Sequence, residues 1–434
     1  MTETTTPLAT DWQPVTAAEI GIAQARLSGV IAPTPLQFVP RLSEQTGAQG
    51  YVKREDLQSV RSYKIRGAYN SIVQLTDEER TAGVVTASAG NHAQGVAYAC
   101  RSLGITGRIY VPVQTPKQKI DRIRVHGGEQ IEIKLVGRSF DESAEAAHAD
   151  AASTGATMIE PFDARNTIVG QGTVAAEILA QLTAEGKRLD TLFVPVGGGG
   201  LLGGILSYLK DMSPATHVIG VEPTTAASMN AALTHGGPVT LDSVDPFIDG
   251  TAVKRVGNLP YRIAADAGER LTMQIIDEGA VCTDLLALYQ NEGIIAETAG
   301  ALSVAGLSAA ARAGDIAPGS VVVCIISGGN NDVLRYAEIV ERDLIYRGLK
   351  LYFLVNFPQE PGQLRHFLAE ILGPDDDITR FEYLKRNNRD YGTALVGIEL
   401  AEADHLGPLK ERMDASPLEI TQLQPGTPEY EFLF

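Results

Sequence analysis

In the stretch Ser62-Tyr63-Lys64-Ile65-Arg66-Gly67-Ala68, a lysine opens an apolar run in which Ile65, Ala68, Tyr69, Ile72 and Leu75 fall at helical spacing. The peptide dipoles of a helix leave positive partial charge at its N-terminus, so an ammonium in the first turn is disfavoured and its pKa falls. A lysine so placed is suited to nucleophilic chemistry; a surface lysine beside Arg66 would look the same in sequence. Gly197-Gly198-Gly199-Gly200-Leu201 follows the apolar run Thr191-Leu192-Phe193-Val194-Pro195-Val196. Residues without side chains let backbone N–H groups converge at a helix start, which makes a phosphate cradle. A nucleotide-binding turn is the rival reading, although no G-x-G-x-x-G opens an early βαβ unit. A plain glycine hinge is the other.

Two further strand-to-helix turns carry polar groups. Ser88-Ala89-Gly90-Asn91-His92 offers several N–H donors, a hydroxyl and an amide, a nest that fits a carboxylate, or else an ordinary N-cap by Ser88 or Asn91. Ser327-Gly328-Gly329-Asn330 follows the strand Val321 to Ile326, at the edge of a parallel sheet where ligands bind.

The elements that must position these groups alternate. Short β-rich runs at Gly83 to Ala87, Arg108 to Val113, Glu129 to Ile133, Thr191 to Val196, His217 to Val221 and Val321 to Ile326 interleave with helical ones at His92 to Leu103, Pro116 to His126, Phe140 to Ser153 and on to Lys210. Nearly continuous apolar strands between helices predict α/β architecture with mainly parallel sheets covered on both faces, and two such sheets leave a cleft between two lobes. After a connecting helix at Asp332 to Ile345 the pattern becomes β-α-β-β-α-β. Its strands are Lys350 to Asn356, Ile378 to Leu384, Thr393 to Leu400 and Leu418 to Leu423; its helices are Gly362 to Leu372 and His405 to Met413. This is an α+β ferredoxin-like series. Asp375-Asp376-Asp377 reads as a solvated turn.

Composition narrows the partners. The 434 residues are 44% apolar and 21% charged, and 53 acidic against 36 basic residues give a net charge of −17. Such a chain repels nucleic acid and anionic membrane, which leaves a small molecule as the expected partner. The start MTETTTPLATDWQP has no basic and apolar leader, and no later run is long enough to span a bilayer, so a cytoplasmic location is expected. Cys100, Cys282 and Cys324 sit among apolar neighbours as reduced core residues, and the seven histidines show no zinc spacing.

A lysine amine, a phosphate cradle, a carboxylate nest and a hydroxyl at a strand end fit a pyridoxal phosphate site. SYKIRGA, TASAGNHAQG, PVGGGGL, AETAGA and ISGGNND resemble, in order, the motifs of the fold-type II pyridoxal phosphate enzymes, and jointly those of the biosynthetic threonine dehydratases. The likeness runs over essentially the whole chain. It implies a two-lobed, tryptophan synthase β-like catalytic region over 1–340, with the smaller lobe at roughly 54–155, and an ACT-like regulatory domain over 341–434.

Position by position, the resemblance implies that Lys64 forms the covalent link to the cofactor and that Asn91 contacts the ring hydroxyl. Gly197, Gly198, Gly199, Gly200 and Leu201 would hold the phosphate, and Ser327 would face the ring nitrogen. Ser88, Ala89, Gly90 and His92 would surround the substrate carboxylate. Glu297 resembles the family's glutamate near substrate and ring, with a simple N-cap acid as the other reading. Gly250 would pass close to the ring. Glu222 resembles a cation ligand of some relatives, but position 228 is serine where metal-dependent racemases carry an acid, so whether a metal binds stays open. Serine racemases have a second serine where this chain has Ala89, which leaves Lys64 alone as a base and disfavours racemisation.

The implied reaction is deamination of L-threonine to 2-oxobutanoate and ammonia, the first step of isoleucine synthesis, with action on L-serine as well. The tail would sense isoleucine or valine, and the protein would be a homodimer or homotetramer. Serine dehydratase, another lyase of the same fold, or a catalytically idle amino-acid sensor are the alternatives.

Overall fold

The computed structural model describes residues 12–383, 389–424 and 427–431. The first eleven residues and Leu384, both touched by expectations above, lie outside this set. Two compact units divide between Asp332 and Val333. Among the described residues no helix is long and apolar enough to cross a membrane.

The first unit is built on ten strands: β1 (Leu36–Phe38), β2 (Gln49–Arg54), β3 (Val84–Ala87), β4 (Gly107–Val111), β5 (Ile131–Leu135), β6 (Thr157–Met158), β7 (Thr191–Pro195), β8 (His217–Pro223), β9 (Leu271–Ile276) and β10 (Val321–Ile326). One sheet runs β1-β2-β10-β7-β8-β9, parallel apart from the β1–β2 pair. The other is an all-parallel β5-β4-β3-β6 sheet. Two α/β sheets with helices between their strands match the architecture read from the alternation.

Details differ from that reading. Gly128–Gln130 forms one turn of tight helix, so β5 begins at Ile131 rather than Glu129. β1, β2, β6 and β9 escape the sequence pattern. β2 reads as polar because it carries Lys53 and Arg54, yet Lys53 is buried: its ammonium donates to Thr34 O, Glu177 and Gln181 at 2.7, 2.7 and 3.0 Å.

Helix Arg165–Ala184 packs against two helices that carry candidate site residues. A side chain at Gly170 would meet Arg66 O at 2.6 Å and Gly67 Cα at 2.7 Å, and one at Gly204 would meet Ile168 O at 2.4 Å and Gly172 N at 2.5 Å. Glycines at these crossings let helix Lys64–Ile72 and helix Gly200–Met212 come into backbone contact with the same central helix. The first crossing is pinned further by Gly67 N donating to Gln171 at 3.2 Å and Asn70 to Asn166 O at 2.7 Å. Beside it, Arg66, 1% exposed, spreads its guanidinium over Glu55 (2.8 and 2.7 Å) and Glu177 (2.6 and 2.9 Å). Glu55 is thereby pulled below its usual value by that guanidinium, against the opposing effect of burial.

In the second unit, a tight turn at Val333–Arg335 precedes helix Tyr336–Tyr346, where a single helix from Asp332 was expected. Then come β11 (Lys350–Pro358), β12 (Asp377–Tyr383), β13 (Tyr391–Glu399) and β14 (Glu419–Gln422) in the antiparallel order β12-β13-β11-β14. With helices Gln363–Glu370 and Leu406–Ala415 between them, this is the ferredoxin-like arrangement over a core of Phe353, Val355, Phe367, Val396 and Leu409. The acidic run turns from helix to strand as expected, with Asp375 and Asp377 exposed, but its middle residue is tied down. The Asp376 carboxylate, 1% exposed, accepts from Gly373 N at 2.6 Å and Arg412 at 3.3 Å, and Asp377 opens β12.

Removing one partner from a buried ionic cluster strands the other charge. Arg66→Met is expected to lower stability by about 3–5 kcal/mol in chemical denaturation, and adding Glu55→Leu to recover most of the loss. Equal stability of parent and Arg66→Met would show that the cluster is not holding the helices.

Candidate active site

Three of the predicted turns leave the carboxyl ends of β3, β7 and β10, and they converge. Lys64, Asn91, Gly197 to Gly200, Leu201, Gly250, Glu297 and Ser327 all line one cavity. Ser88, Ala89, Gly90 and His92 do not line it; the first three are half-buried just before helix Asn91–Leu103, and Ser88 Oγ accepts from Gly90 N at 3.2 Å. The first N–H groups of that helix have no partner within it.

Lys64 is the first residue of its helix, as the spacing predicts. Its position is set by the segment before it: Ser62 bridges to Gly328, Tyr63 N donates to Ser327 O at 3.1 Å, and Gly329 N donates to Arg61 O at 2.9 Å. Arg61 has φ +57°, a left-handed conformation that costs an ordinary residue free energy and that this pairing holds in place. The Lys64 amine donates to Pro161 O at 3.1 Å. Burial lowers its pKa to about 8, against the opposing pull of Glu297. Burial, more than the helix dipole, is thus what prepares the amine.

The glycine run is required by what surrounds it. A side chain at Gly198 would strike the Phe162 ring at 2.2 Å, and Gly199 has φ +89°. The run opens helix Gly200–Met212, so its N–H groups and the helix dipole meet at the cavity wall. Ser327 Oγ lines the cavity and donates to Ala299 O at 3.2 Å, long for a hydroxyl.

Glu297 stands at the N-cap of helix Thr298–Ala313, but its side chain makes no capping bond. It turns inward instead, accepting from Asn91 Nδ2 at 2.6 Å and Asn330 N at 3.2 Å. Burial, with Asp249 nearby, raises its pKa to about 7. His92 is buried with Nε2 at 2.9 Å from Ile159 O, and burial with the nearby Lys64 lowers its pKa to about 3, so it is a neutral imidazole. Glu222 lies outside the cavity, where both its oxygens accept backbone N–H groups, Met229 at 2.7 Å and Asn230 at 2.9 Å. Its carboxylate caps a helix, and burial raises its pKa to about 7.

Sequence reasoning missed Tyr63, Phe162, Thr251, Val253 and Ala299 on the cavity wall. Tyr63 was adjacent to the lysine and could have been found; Phe162, far from the glycines in sequence, carried no signal.

These groups suit pyridoxal phosphate: a glycine run at a helix start, an amine whose pKa burial lowers to about 8, and an amide and a hydroxyl lining the same cavity. Residues 27–328 match the pyridoxal-phosphate dependent enzyme family, and residues 341–433 match the C-terminal regulatory domain of threonine dehydratase. The chain belongs to the threonine dehydratase family of pyridoxal-phosphate dependent enzymes. It is similar to the biosynthetic L-threonine dehydratase of Corynebacterium glutamicum, 68% identical over 419 residues, which are 96% of this chain and 95% of the relative. The Mycobacterium leprae enzyme of that name is 60% identical over 97% of each chain. Among solved structures, a processed threonine deaminase isoform 2 from Solanum lycopersicum aligns with TM-score 0.70 and 36% identity over 76% of this chain and 95% of its own. Maize serine racemase aligns at 0.69 and 29% over 77% and 99%. The fold class and the cofactor read from the motifs are those of this family.

Two outcomes follow for a pyridoxal-phosphate dependent protein with this site. Gly198→Ala is expected to weaken cofactor binding about tenfold or more, since overpacking costs about 1–3 kcal/mol, and Phe162→Ala in the same chain to restore part of it; titration of apoprotein with cofactor measures both. A lysine is reactive only when neutral, so with its pKa lowered, uptake of cofactor accelerates as pH rises through about 8. A midpoint at the ordinary lysine value would contradict the burial argument.

Proposed function

We propose that this protein deaminates L-threonine to 2-oxobutanoate and ammonia, accepts L-serine as a second substrate, and is inhibited by isoleucine through its tail. The reading rests chiefly on one observation: a lysine with its pKa lowered to about 8 sits across one cavity from the glycine cradle, in a chain 68% identical to a relative named L-threonine dehydratase.

Bound pyridoxal phosphate supplies an electron sink for the Cα of an amino acid. The chain does the rest. Lys64 holds the cofactor, and its freed Nζ takes the Cα proton and then carries the proton that the departing β-hydroxyl needs to leave as water. The N–H groups at Ser88 to His92 bind the carboxylate. Asn91 Nδ2 would meet the ring hydroxyl, the glycine run and Leu201 would hold the phosphate, and Ser327 Oγ would face the ring nitrogen. A neutral hydroxyl there stabilises ring protonation less than a carboxylate would, which favours prompt elimination. With Ala89 offering no proton on the opposite face, racemisation stays minor. One methyl separates threonine from serine, worth about 1–3 kcal/mol of discrimination, so both substrates turn over.

The second unit's match to a regulatory domain supports an amino-acid effector site there, formed between paired tails of a dimer or larger assembly. A coupling of about 1–3 kcal/mol would shift threonine affinity 5–150-fold.

Lys64→Ala is expected to abolish 2-oxobutanoate formation in a protein that still folds; substantial residual ketoacid would sink the assignment. In the full-length enzyme at subsaturating threonine, isoleucine is expected to raise the apparent KM by a factor in that range. A flat response to isoleucine would leave the tail as an assembly module.

A further inference from the structure

Helix Lys117–Gly127 belongs to the lobe built on the β5-β4-β3-β6 sheet, yet three residues on its first turns reach the opposite lobe. With its amide turned to put nitrogen toward Asp332, Gln118 donates to both carboxylate oxygens at 3.1 Å; Lys119 pairs with Asp249 at 2.8 Å, and Arg122 donates to Asn330 Oδ1 at 2.5 Å. The last of these leads into the cavity. Asn330 Nδ2 donates to Val60 O at 2.8 Å and to Asn91 Oδ1 at 2.7 Å, and Asn91 Nδ2 donates to Glu297 at 2.6 Å. We propose that Arg122 is a positioning residue that acts through Asn330 to fix which end of the Asn91 carboxamide faces the cofactor ring.

The hydrogen-bond roles leave one arrangement. Both hydrogens of the Asn330 amide go to oxygen acceptors, so its own oxygen needs a donor, and Arg122 supplies a charged one. A cation on that oxygen polarises the amide and strengthens its donation to Asn91. Turned over, Asn91 would set its NH2 group against that of Asn330 and its oxygen against the Glu297 carboxylate, two repulsions in place of two bonds. With its oxygen taken by Asn330, Asn91 presents N–H to the cavity, which is the end that a ring hydroxyl or its oxyanion accepts. The chain Arg122–Asn330–Asn91 crosses the cleft and returns, so it forms only when the two lobes are correctly set.

The inference rests on Asn91 facing the ring, as proposed above, and the test separates the two. Cofactor affinity of the apoprotein, the visible absorption maximum of the holoenzyme, thermal stability, and kcat and KM for L-threonine are measured for Arg122→Ala, Arg122→Lys, Asn330→Asp and Asn91→Ala. Arg122→Ala is expected to bind cofactor about tenfold more weakly, to shift the absorption maximum and to lose more in kcat than in KM at near-parental stability. Arg122→Lys recovers most of the loss. Asn330→Asp, which places an acceptor opposite Asn91 Oδ1, loses more than Arg122→Ala does. Parental affinity and absorption in Arg122→Ala or Asn330→Asp, beside an Asn91→Ala variant that loses both, overturn the proposal. Asn91→Ala with unchanged absorption removes the reading on which it rests. If Arg122→Ala does not fold, Asn330→Asp decides alone.

Discussion

The catalytic unit depends on how closely helix Arg165–Ala184 lets two other helices approach. A reactive amine and a phosphate cradle are useful only at a fixed separation, and they come from segments more than a hundred residues apart. Glycine against backbone at both crossings sets that separation without long, adjustable side chains, because carbonyl and Cα atoms meet at van der Waals distance and nothing rotates. The buried Arg66 cluster adds direction to the first crossing. Helices fixed in this way can carry a strained Arg61 and a left-handed Gly199 at their mouths, since neighbouring pairings outweigh the local cost.

Low dielectric then does the chemical preparation. Burial moves Lys64, Glu297 and His92 all toward their neutral forms. A basic amine, an acid near half ionisation and an uncharged imidazole thus share one neighbourhood without strong mutual repulsion, and the amide chain from Asn330 to Asn91 supplies direction where charge is weak. The same burial acts on Glu222, whose carboxylate ends a helix instead, so a perturbed acid alone does not mark the site.

Much of this was legible in the sequence. Asn91, the glycine run and Ser327 lie at short turns after strands, and local chemistry betrays such turns: apolar run, small residues, polar donor, helix; Lys64 instead opens a helix that its apolar spacing marks. β2 and the burial of the Asp376 side chain escaped the reading because local pattern cannot see tertiary partners. Asp376 is buried by Arg412, which lies on another helix, and β2 hides behind a lysine neutralised by Glu177 across the fold. Phe162 and Arg122 were invisible for the same reason, since each acts on a residue brought close only by folding.

The strand that delivers Ser327 also leads out of the unit. Gly328 O accepts from Glu297 N, Gly329 N is held by Arg61, Asn330 is bonded on three sides, and Asn331 donates to Ala296 O at 3.2 Å. The tether to the regulatory unit therefore has almost no slack before Asp332. Ser327 is thus followed by a run of backbone that the catalytic unit's own hydrogen bonds hold residue by residue, so the chain leaves the cavity along a fixed path.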